Sequence, residues 1–323
     1  MPDAEDNEAR SRSGAARSYA SAYHAPVLCD AVVDGLVVDR RGIYVDATLG
    51  GGGHTAALLD ALDEAGLVIG IDQDVDALDA VRRRLEAAIA AGRLRLIRGN
   101  FGQLDALLEE AGMASIDGLL LDLGVSSHQL DTPDRGFSYR GEGALDMRMD
   151  DRAPLSADEI VNRWDERELR RVLKAYGEEP RATQIARRIV AARPLASTRA
   201  LAEVVRGCVP GRDEQKTLSR VFQGIRIAVN DELGVLERVL EAGMRRMKPG
   251  GRIAVISYHS LEDRRVKRYL RAGNFEGEVA RDLYGNPEVP WRLITRQAIA
   301  PDEAETASNP RARSARLRIA ERI

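Results

Sequence analysis

The stretch Val45-Asp46-Ala47-Thr48-Leu49-Gly50-Gly51-Gly52-Gly53-His54 decides the fold. A short apolar run ends at an acidic residue, four glycines follow, and a helical pattern begins at residue 55. Glycine has no Cβ atom, so the backbone turns sharply here and a ligand can approach it closely. A strand, a glycine turn and a helix N-terminus form the nucleotide-binding corner of a doubly wound α/β fold. The loop alone does not distinguish a dinucleotide from another adenosine ligand.

Composition narrows the class of protein. The chain has 323 residues, enough for one large domain or two, and a net charge of −3, so any contact with nucleic acid needs a local basic patch. Cys29 and Cys208 are far apart and do not match metal-ligand spacing, which fits a reducing compartment. No apolar run approaches the roughly 18 residues of a membrane span. We therefore predict a cytoplasmic protein with no membrane contact and a disordered arm at residues 1–22.

Strand and helix patterns alternate through the first part of the chain. Four apolar runs predict strands, at residues 43–47, 67–71, 94–97 and 116–121. The spacing of apolar residues predicts one amphipathic helix over 76–90. A fifth strand is expected at 252–257, after the turn Lys248-Pro249-Gly250-Gly251, and a closing hairpin at 291–295 and 316–319. This pattern predicts an α/β fold with a doubly wound sheet.

The alternation stops between residues 133 and 220, where helix caps and breakers dominate. Ser156 with Glu159, and Asp165 with Glu168, are typical of capping boxes. We therefore predict an all-helical insertion at 133–220, between two segments of the α/β domain at 23–132 and 221–323. Residues 163–193 contain nine basic and five acidic side chains. Such an excess occurs on a solvated face and on a phosphate-facing one.

Four positions mark the ligand end of the predicted sheet. Asp46, Asp72, Phe101 and Asp122 stand at or just after the ends of four successive strands. Ligands of open α/β sheets bind at these carboxyl ends. Asp72 follows Gly53 at the distance typical of a carboxylate that holds a ribose. Acidic surroundings suit a sulfonium cation better than a pyrophosphate, so we predict S-adenosylmethionine as the cofactor.

Several longer motifs resemble the bacterial ribosomal RNA small-subunit methyltransferase H family (MraW, RsmH). Together they cover nearly everything beyond residue 23. The matching stretches are His24-Ala25-Pro26-Val27-Leu28, the 50–54 loop, Asp122-Leu123-Gly124-Val125-Ser126-Ser127, Gln129-Leu130-Asp131, Arg135-Gly136-Phe137-Ser138, Leu145-Asp146-Met147-Arg148-Met149-Asp150, Tyr176-Gly177-Glu178-Glu179, Phe222-Gln223, Arg226-Ile227, Val229-Asn230, His259-Ser260-Leu261-Glu262-Asp263-Arg264 and Asn309-Pro310-Arg311-Ala312-Arg313-Ser314. His128 is a departure, because it stands where the family usually has proline.

The resemblance implies a Rossmann-like S-adenosylmethionine-dependent methyltransferase fold with the helical insertion in an RNA-recognition role. It implies methylation of the exocyclic N(4) amine of cytosine 1402 in 16S rRNA of the small (30S) ribosomal subunit. No metal ligand set is implied, and both a monomer and a homodimer fit. The implied cofactor-binding residues are Gly52, Gly53, His54, Asp72, Phe101, Asp122 and Gln129.

Candidates for the catalytic pocket are Asp122, Ser257 and His259. An exocyclic amine needs alignment with the methyl group and an orienting acceptor rather than a strong base. His259 either contacts the target base or only holds the turn that follows it. In the first case, His259→Ala should reduce turnover more than cofactor affinity.

The target base must be splayed out of the RNA to reach the cofactor, so the protein needs a surface that holds the surrounding RNA. The predicted RNA surfaces are the helical insertion and the arginine-rich segment 311–318. Reversing Arg187 and Arg188 to Glu should then weaken RNA binding alone. Two other classes share these sequence features. A nicotinamide-dependent oxidoreductase would use the same loop, and a non-catalytic RNA-binding protein could keep the same fold.

Overall fold

The computed structural model describes Tyr19, residues 26–209 and residues 211–323. The predicted arm at 1–22, apart from Tyr19, and His24 of the first motif lie outside the described residues. Among the residues that are described, no helix combines the length and apolar character needed to cross a bilayer.

A seven-stranded sheet organises the α/β part of the chain. Its strand order is β3-β2-β1-β4-β5-β9-β8, and a separate two-stranded ribbon is formed by β6 and β7. The strands are β1 Ile43–Asp46, β2 Leu67–Asp72, β3 Leu94–Arg98, β4 Ile116–Asp122, β5 Met247–Ser257, β6 Ala280–Arg281, β7 Pro287–Glu288, β8 Trp291–Leu293 and β9 Arg316–Arg322. The first five are parallel, and the predicted closing hairpin is present as the antiparallel pair β8 and β9.

The strand order reverses between β1 and β4, which lie side by side with Val45 opposite Leu119. From this point the chain adds β2 and β3 on one side and β5 on the other. Such a reversal opens a crevice at the carboxyl ends of the two central strands. The fold therefore places Asp46 and Asp122 beside the expected ligand crevice, as the sequence predicts.

Helices form much of the rest of the described residues. They are α1 Cys29–Leu36, α2 Gly53–Ala61, α3 Val75–Arg84, α4 Glu86–Ala90, α5 Leu104–Glu110, α6 Ser127–Asp131, α7 Ala157–Arg163, α8 Glu166–Ala175, α9 Ala182–Ala191, α10 Thr198–Arg206, α11 Glu214–Asn230, α12 Glu232–Arg246, α13 Ser260–Ala272 and α14 Glu303–Ser308. The single helix predicted over 76–90 is wrong. Leu85 leaves helical geometry (φ −114°, ψ 28°) and separates α3 from α4.

The described residues form two compact units. One comprises those up to Gly124 together with Gly234–Ile323, and the other is Val125–Leu233. Each has an apolar core of its own residues. In the first unit the core covers both faces of the sheet, with Val45 and Leu119 on one side and Tyr44 and Leu120 on the other. This accounts for the continuous apolar runs that predict the strands.

The second unit is helical throughout its described regular elements and extends further than the predicted insertion at 133–220. The difference at its C-terminal boundary has a clear physical reason. Helix α11 continues through residue 220, and its buried side chains Val221, Phe222, Ile225 and Val229 belong to the helical core. Apolar periodicity marks these residues as buried, but it does not tell which core they join.

Candidate active site

The glycine loop between β1 and α2 is constrained by backbone geometry and by contact. Gly50 and Gly52 have positive φ angles of 48° and 71°. A Cβ atom at Gly52 would lie 2.8 Å from Cγ2 of Val81, and one at Gly53 would lie 3.0 Å from Cδ of Pro26. Only glycine satisfies both conditions at position 52. The loop thus leads directly into the N-terminus of α2, with Gly52 as its cap.

Asp72, at the end of β2, holds this loop in place. Its Oδ2 accepts a hydrogen bond from the Gly50 amide and its Oδ1 accepts one from the Asp74 amide, both at 2.9 Å. Burial raises the pKa of Asp72 to about 6. Each carboxylate oxygen can accept a second hydrogen bond. Asp72 can therefore brace the loop and also receive the two hydroxyls of a ribose.

Asp46, at the end of β1, is hydrogen-bonded to neighbouring residues of the protein. It is buried, its Oδ2 accepts a hydrogen bond from the Thr55 hydroxyl at 2.7 Å, and its Oδ1 accepts one from the Thr48 amide at 3.2 Å. Burial raises its pKa as well. These bonds connect β1 to the loop and to α2, so Asp46 stabilises the loop.

Asp122, at the end of β4, lies in a polar cluster with His54 and Tyr258. The Tyr258 hydroxyl donates to Asp122 Oδ1 at 2.8 Å, and His54 Nδ1 lies 3.7 Å from Asp122 Oδ2. His54 is buried, and its Nε2 donates to the Val27 carbonyl at 2.9 Å. Burial, followed by the charge of Asp122, raises the pKa of Tyr258 well above its usual value. Tyr258 therefore stays protonated and orients the Asp122 carboxylate.

Sequence reasoning missed Tyr258, although a signal for it exists. Tyr258 is the first residue after β5, the parallel neighbour of β4. The strand-end rule that selects Asp122 applies equally to this position.

Phe101 lies in a short 3₁₀ turn directly after β3. Its ring is half-buried and packs against the sheet core. The Asn100 side chain accepts a hydrogen bond from Gly102 N at 2.8 Å and donates one to Gln73 Oε1 at 3.1 Å. This links the Phe101 turn to the residue that follows Asp72. The accessible part of the ring is suited to stack on an adenine.

Ser257 and His259, the other two catalytic candidates, bond to neighbouring backbone. The Ser257 hydroxyl donates to the Arg316 carbonyl of β9 at 3.4 Å. His259 is the N-cap of α13, where its Nδ1 accepts from the Glu262 amide at 3.4 Å and its Nε2 lies 3.1 Å from Glu262 Oε1. Glu262 is buried and also accepts from the Tyr258 amide at 2.9 Å. His259 and Glu262 together hold the turn that carries Tyr258.

Gln129, predicted as a cofactor ligand, belongs to the second unit. It is buried, and with Ser126 it forms the capping box of α6: its Oε1 accepts from Ser126 N at 3.1 Å, and Ser126 Oγ accepts from Gln129 N at 3.2 Å. His128 is the second residue of α6. At this position a helix amide has no intrahelical acceptor, so histidine and proline are both accommodated. The role of Gln129 toward a cofactor stays a prediction.

The first unit offers a pocket chemistry that suits S-adenosylmethionine. Asp72 and Asp122 are the last residues of β2 and β4, which lie on either side of β1. Because neighbouring strands lie about 4.8 Å apart, these two strand ends are about 10 Å from each other. That distance suits a ligand of nucleoside size. Two carboxylates favour a sulfonium cation and an aminoalkyl group, and they disfavour a pyrophosphate.

Comparison with known proteins supports this interpretation. Residues 21–323 match the MraW methylase family. The chain named ribosomal RNA small subunit methyltransferase H from Chlorobaculum parvum is 49% identical over 322 residues, covering 93% of this chain and 98% of that one. The protein of the same name from Flavobacterium johnsoniae is 47% identical over 304 residues, with the same two coverages.

Among solved structures, an rRNA methylase from Streptococcus thermophilus covers 91% of this chain and 93% of its own at 15% identity and a TM-score of 0.40. A similarity this weak adds nothing to the assignment, which depends on the sequence matches. On those matches, the chain belongs to the MraW methylase family.

Proposed function

We propose that this protein transfers a methyl group from S-adenosylmethionine to the N(4) amine of cytosine 1402 in 16S rRNA of the small ribosomal subunit, in the cytoplasm. Membership of a methylase family makes the reaction a methyl transfer and removes the nicotinamide-dependent alternative. The observation that carries the proposal is the match of residues 21–323 to this family, with relatives named ribosomal RNA small subunit methyltransferase H at 49% and 47% identity. The Asp72 carboxylate, which accepts from the glycine loop and can accept further hydrogen bonds, supports an adenosine cofactor.

Each predicted cofactor residue of the first unit has a physical role in this proposal. Gly52 and Gly53 let the methionine portion approach the start of α2. Asp72 receives the ribose hydroxyls, and Phe101 packs on the adenine. His54 and Asp122 close the pocket near the sulfonium. The bound cofactor supplies the electrophilic methyl group.

Alignment of the target amine is the chemical task of the chain. The lone pair of a cytosine amine is delocalised into the ring, so the residues must fix one direction of approach. Asp122 is the proposed acceptor for an N–H of that amine, and Tyr258 fixes the orientation of its carboxylate. Ser257 and His259 remain candidates for contacts to the base.

The decisive experiment measures transfer from labelled S-adenosylmethionine to small subunits that lack the modification, with naked 16S rRNA in parallel. Mass spectrometry then identifies the methylated nucleoside. We expect N(4)-methylcytidine on the subunits and none with Asp122→Asn. A different nucleoside, or no transfer to either substrate despite cofactor binding, would overturn the proposed substrate. Light scattering on the purified protein alone distinguishes a monomer from a homodimer.

A further inference from the structure

One face of helix α8 is strongly basic. Arg167, Arg170, Arg171 and Lys174 follow one another at spacings of three, one and three residues, which puts them on one side of the helix. We call these four residues the α8 basic stripe. All four are exposed, and none forms an ion pair or hydrogen bond with any residue in the described part of the chain.

The acidic residues of α8 form no ion pair with the stripe. Glu168 belongs to the capping box, where its Oε2 accepts from the Asp165 amide at 3.0 Å. Glu166 lies 3.8 Å from Arg187, a basic residue of α9. The four cations of the stripe therefore have no carboxylate of the described residues in direct contact, and like charges at these spacings oppose helix formation.

Four other exposed arginines of the second unit behave differently, since each has a carboxylate partner. The pairs are Arg152 with Asp150, Arg163 with Glu159, Arg199 with Glu142 and Arg206 with Glu214. The stripe is thus distinguished from these four arginines by its lack of partners. It also lines a groove of about 740 Å³, together with Glu168 and with Thr183 of α9.

We propose that the α8 basic stripe binds successive phosphates of the rRNA substrate. This inference rests on the proposed function. Three of the four cations are arginines, whose planar forks pair well with phosphate oxygens. From residue 167 to 174 the helix rises about 10 Å. RNA carries one negative charge per nucleotide, so a row of four cations about 10 Å long can contact more than one phosphate of a strand.

The buried side of α8 argues against a membrane as the partner. Its apolar residues Leu169, Val172 and Leu173 are fully buried in the helical core. The helix therefore has no apolar anchor to insert between lipids, which a membrane-surface helix needs.

The test compares two variants with the same loss of four positive charges. The stripe variant is R167Q/R170Q/R171Q/K174Q, and the matched control is R152Q/R163Q/R199Q/R206Q. Binding to 16S rRNA and to small subunits is measured at several salt concentrations, with cofactor affinity and melting temperature in parallel. The pairs R167Q/R170Q and R171Q/K174Q serve as smaller changes if the quadruple stripe variant does not fold.

We expect the stripe variant to bind RNA about 10- to 100-fold more weakly near 0.1 M salt, with a slope of log K against log [salt] shallower by about 2. The control should lose less than about threefold, because its arginines already have partners. Cofactor affinity should stay unchanged in both.

Equal RNA affinity and equal salt slope in the two variants would overturn the proposal. Unchanged RNA binding together with weaker binding to anionic vesicles or to an acidic protein, measured in parallel, would overturn it as well. Methyl transfer by the unaltered protein separates this result from the larger question. If that transfer to subunits is present and the stripe has no effect, only the stripe inference fails. If that transfer is absent, the proposed function fails, and direct RNA binding still decides the stripe.

Discussion

At the scale of single residues, the proposed site depends on the carboxylates of Asp72 and Asp122. Asp72 braces the glycine loop and is available to a ribose, while Asp122 is oriented by Tyr258 near His54. Backbone amides and a tyrosine hydroxyl fix these groups in position before any ligand arrives. Such preorganisation removes part of the cost of binding.

The raised pKa of Asp72 predicts that cofactor binding depends on pH. The ionised carboxylate is the stronger acceptor for ribose hydroxyls. Since burial raises this pKa to about 6, cofactor affinity should fall as the pH drops below 6, by up to about tenfold per pH unit. Calorimetric titration between pH 5 and 8 measures this. Asp72→Asn should bind weakly at every pH, and an unchanged pH slope in that variant would assign the titration to another group.

The effect of Asp72 on stability has the opposite sign. Folding raises this pKa, so the folded chain holds the proton more tightly than the unfolded chain between about pH 4 and 6. The stabilisation from this group is therefore present at low pH and is lost as the pH rises through 6. Protection by the cofactor should grow over the same interval, so the two effects can be separated by melting with and without ligand.

Two glycines allow steric and backbone effects to be separated. Gly52 and Gly92 have nearly the same φ, 71° and 72°, but a Cβ atom at Gly92 would meet nothing within 4 Å. Gly92→Ala should cost about 1–2 kcal/mol from left-handed geometry alone. Gly52→Ala should cost about 1–3 kcal/mol more from contact with Val81, and it should also weaken cofactor binding. Urea unfolding measures both. Equal losses of stability in the two variants would mean that the loop moves to accommodate the alanine side chain at position 52.

At the scale of elements, the ends of strands and the starts of helices together build the site. The glycine loop joins β1 to α2, and the turn that carries Tyr258 joins β5 to α13. Both turns are held by side chains that bond to backbone amides, Asp72 in the first and Glu262 in the second. Substitution of Asp72 or Glu262 should therefore slow methyl transfer by displacing the residues that these two turns carry.

His259 offers a test of this idea, because it caps α13. His259→Ala should destabilise the protein by about 0.5–2 kcal/mol and reduce turnover more than cofactor affinity, because the Tyr258 turn loosens. Asparagine is a good N-cap, so His259→Asn should recover both stability and turnover. Chemical unfolding and methyl-transfer rates are the measurements. Recovered stability without recovered turnover would assign His259 a direct contact with the target base.

At the scale of the whole molecule, two units with separate cores share one chain. The second unit is contiguous, and its core is built from its own residues. We therefore expect a fragment of residues 125–233 to fold and to melt cooperatively. A fragment of 133–220, the range predicted for the insertion, should not, because it lacks Val221, Phe222, Ile225 and Val229. Circular dichroism decides. Equal folding of both fragments would mean that the end of α11 is dispensable.

The sequence by itself determined the sheet strands, the glycine loop and the acidic strand ends. These features depend on local patterns: runs of apolar residues, the missing Cβ of glycine, and the position of a residue at a strand end. The same patterns predicted the closing hairpin. These patterns were sufficient to predict the α/β class. The family could be identified from the sequence because its distinctive motifs, such as 122–127 and 259–264, follow the ends of strands.

Tertiary structure alone decided how side chains are used and where each core ends. Periodicity predicted burial for α11, but packing assigned its last turns to the helical unit. An acidic residue at a strand end appears the same in sequence whether it braces a loop, as Asp46 does, or lies near a histidine, as Asp122 does. The physical reason is that hydrogen bonds and ion pairs join residues distant in the chain. The partners of Asp122, and the lack of partners along the α8 basic stripe, follow from three-dimensional contacts that no local pattern encodes.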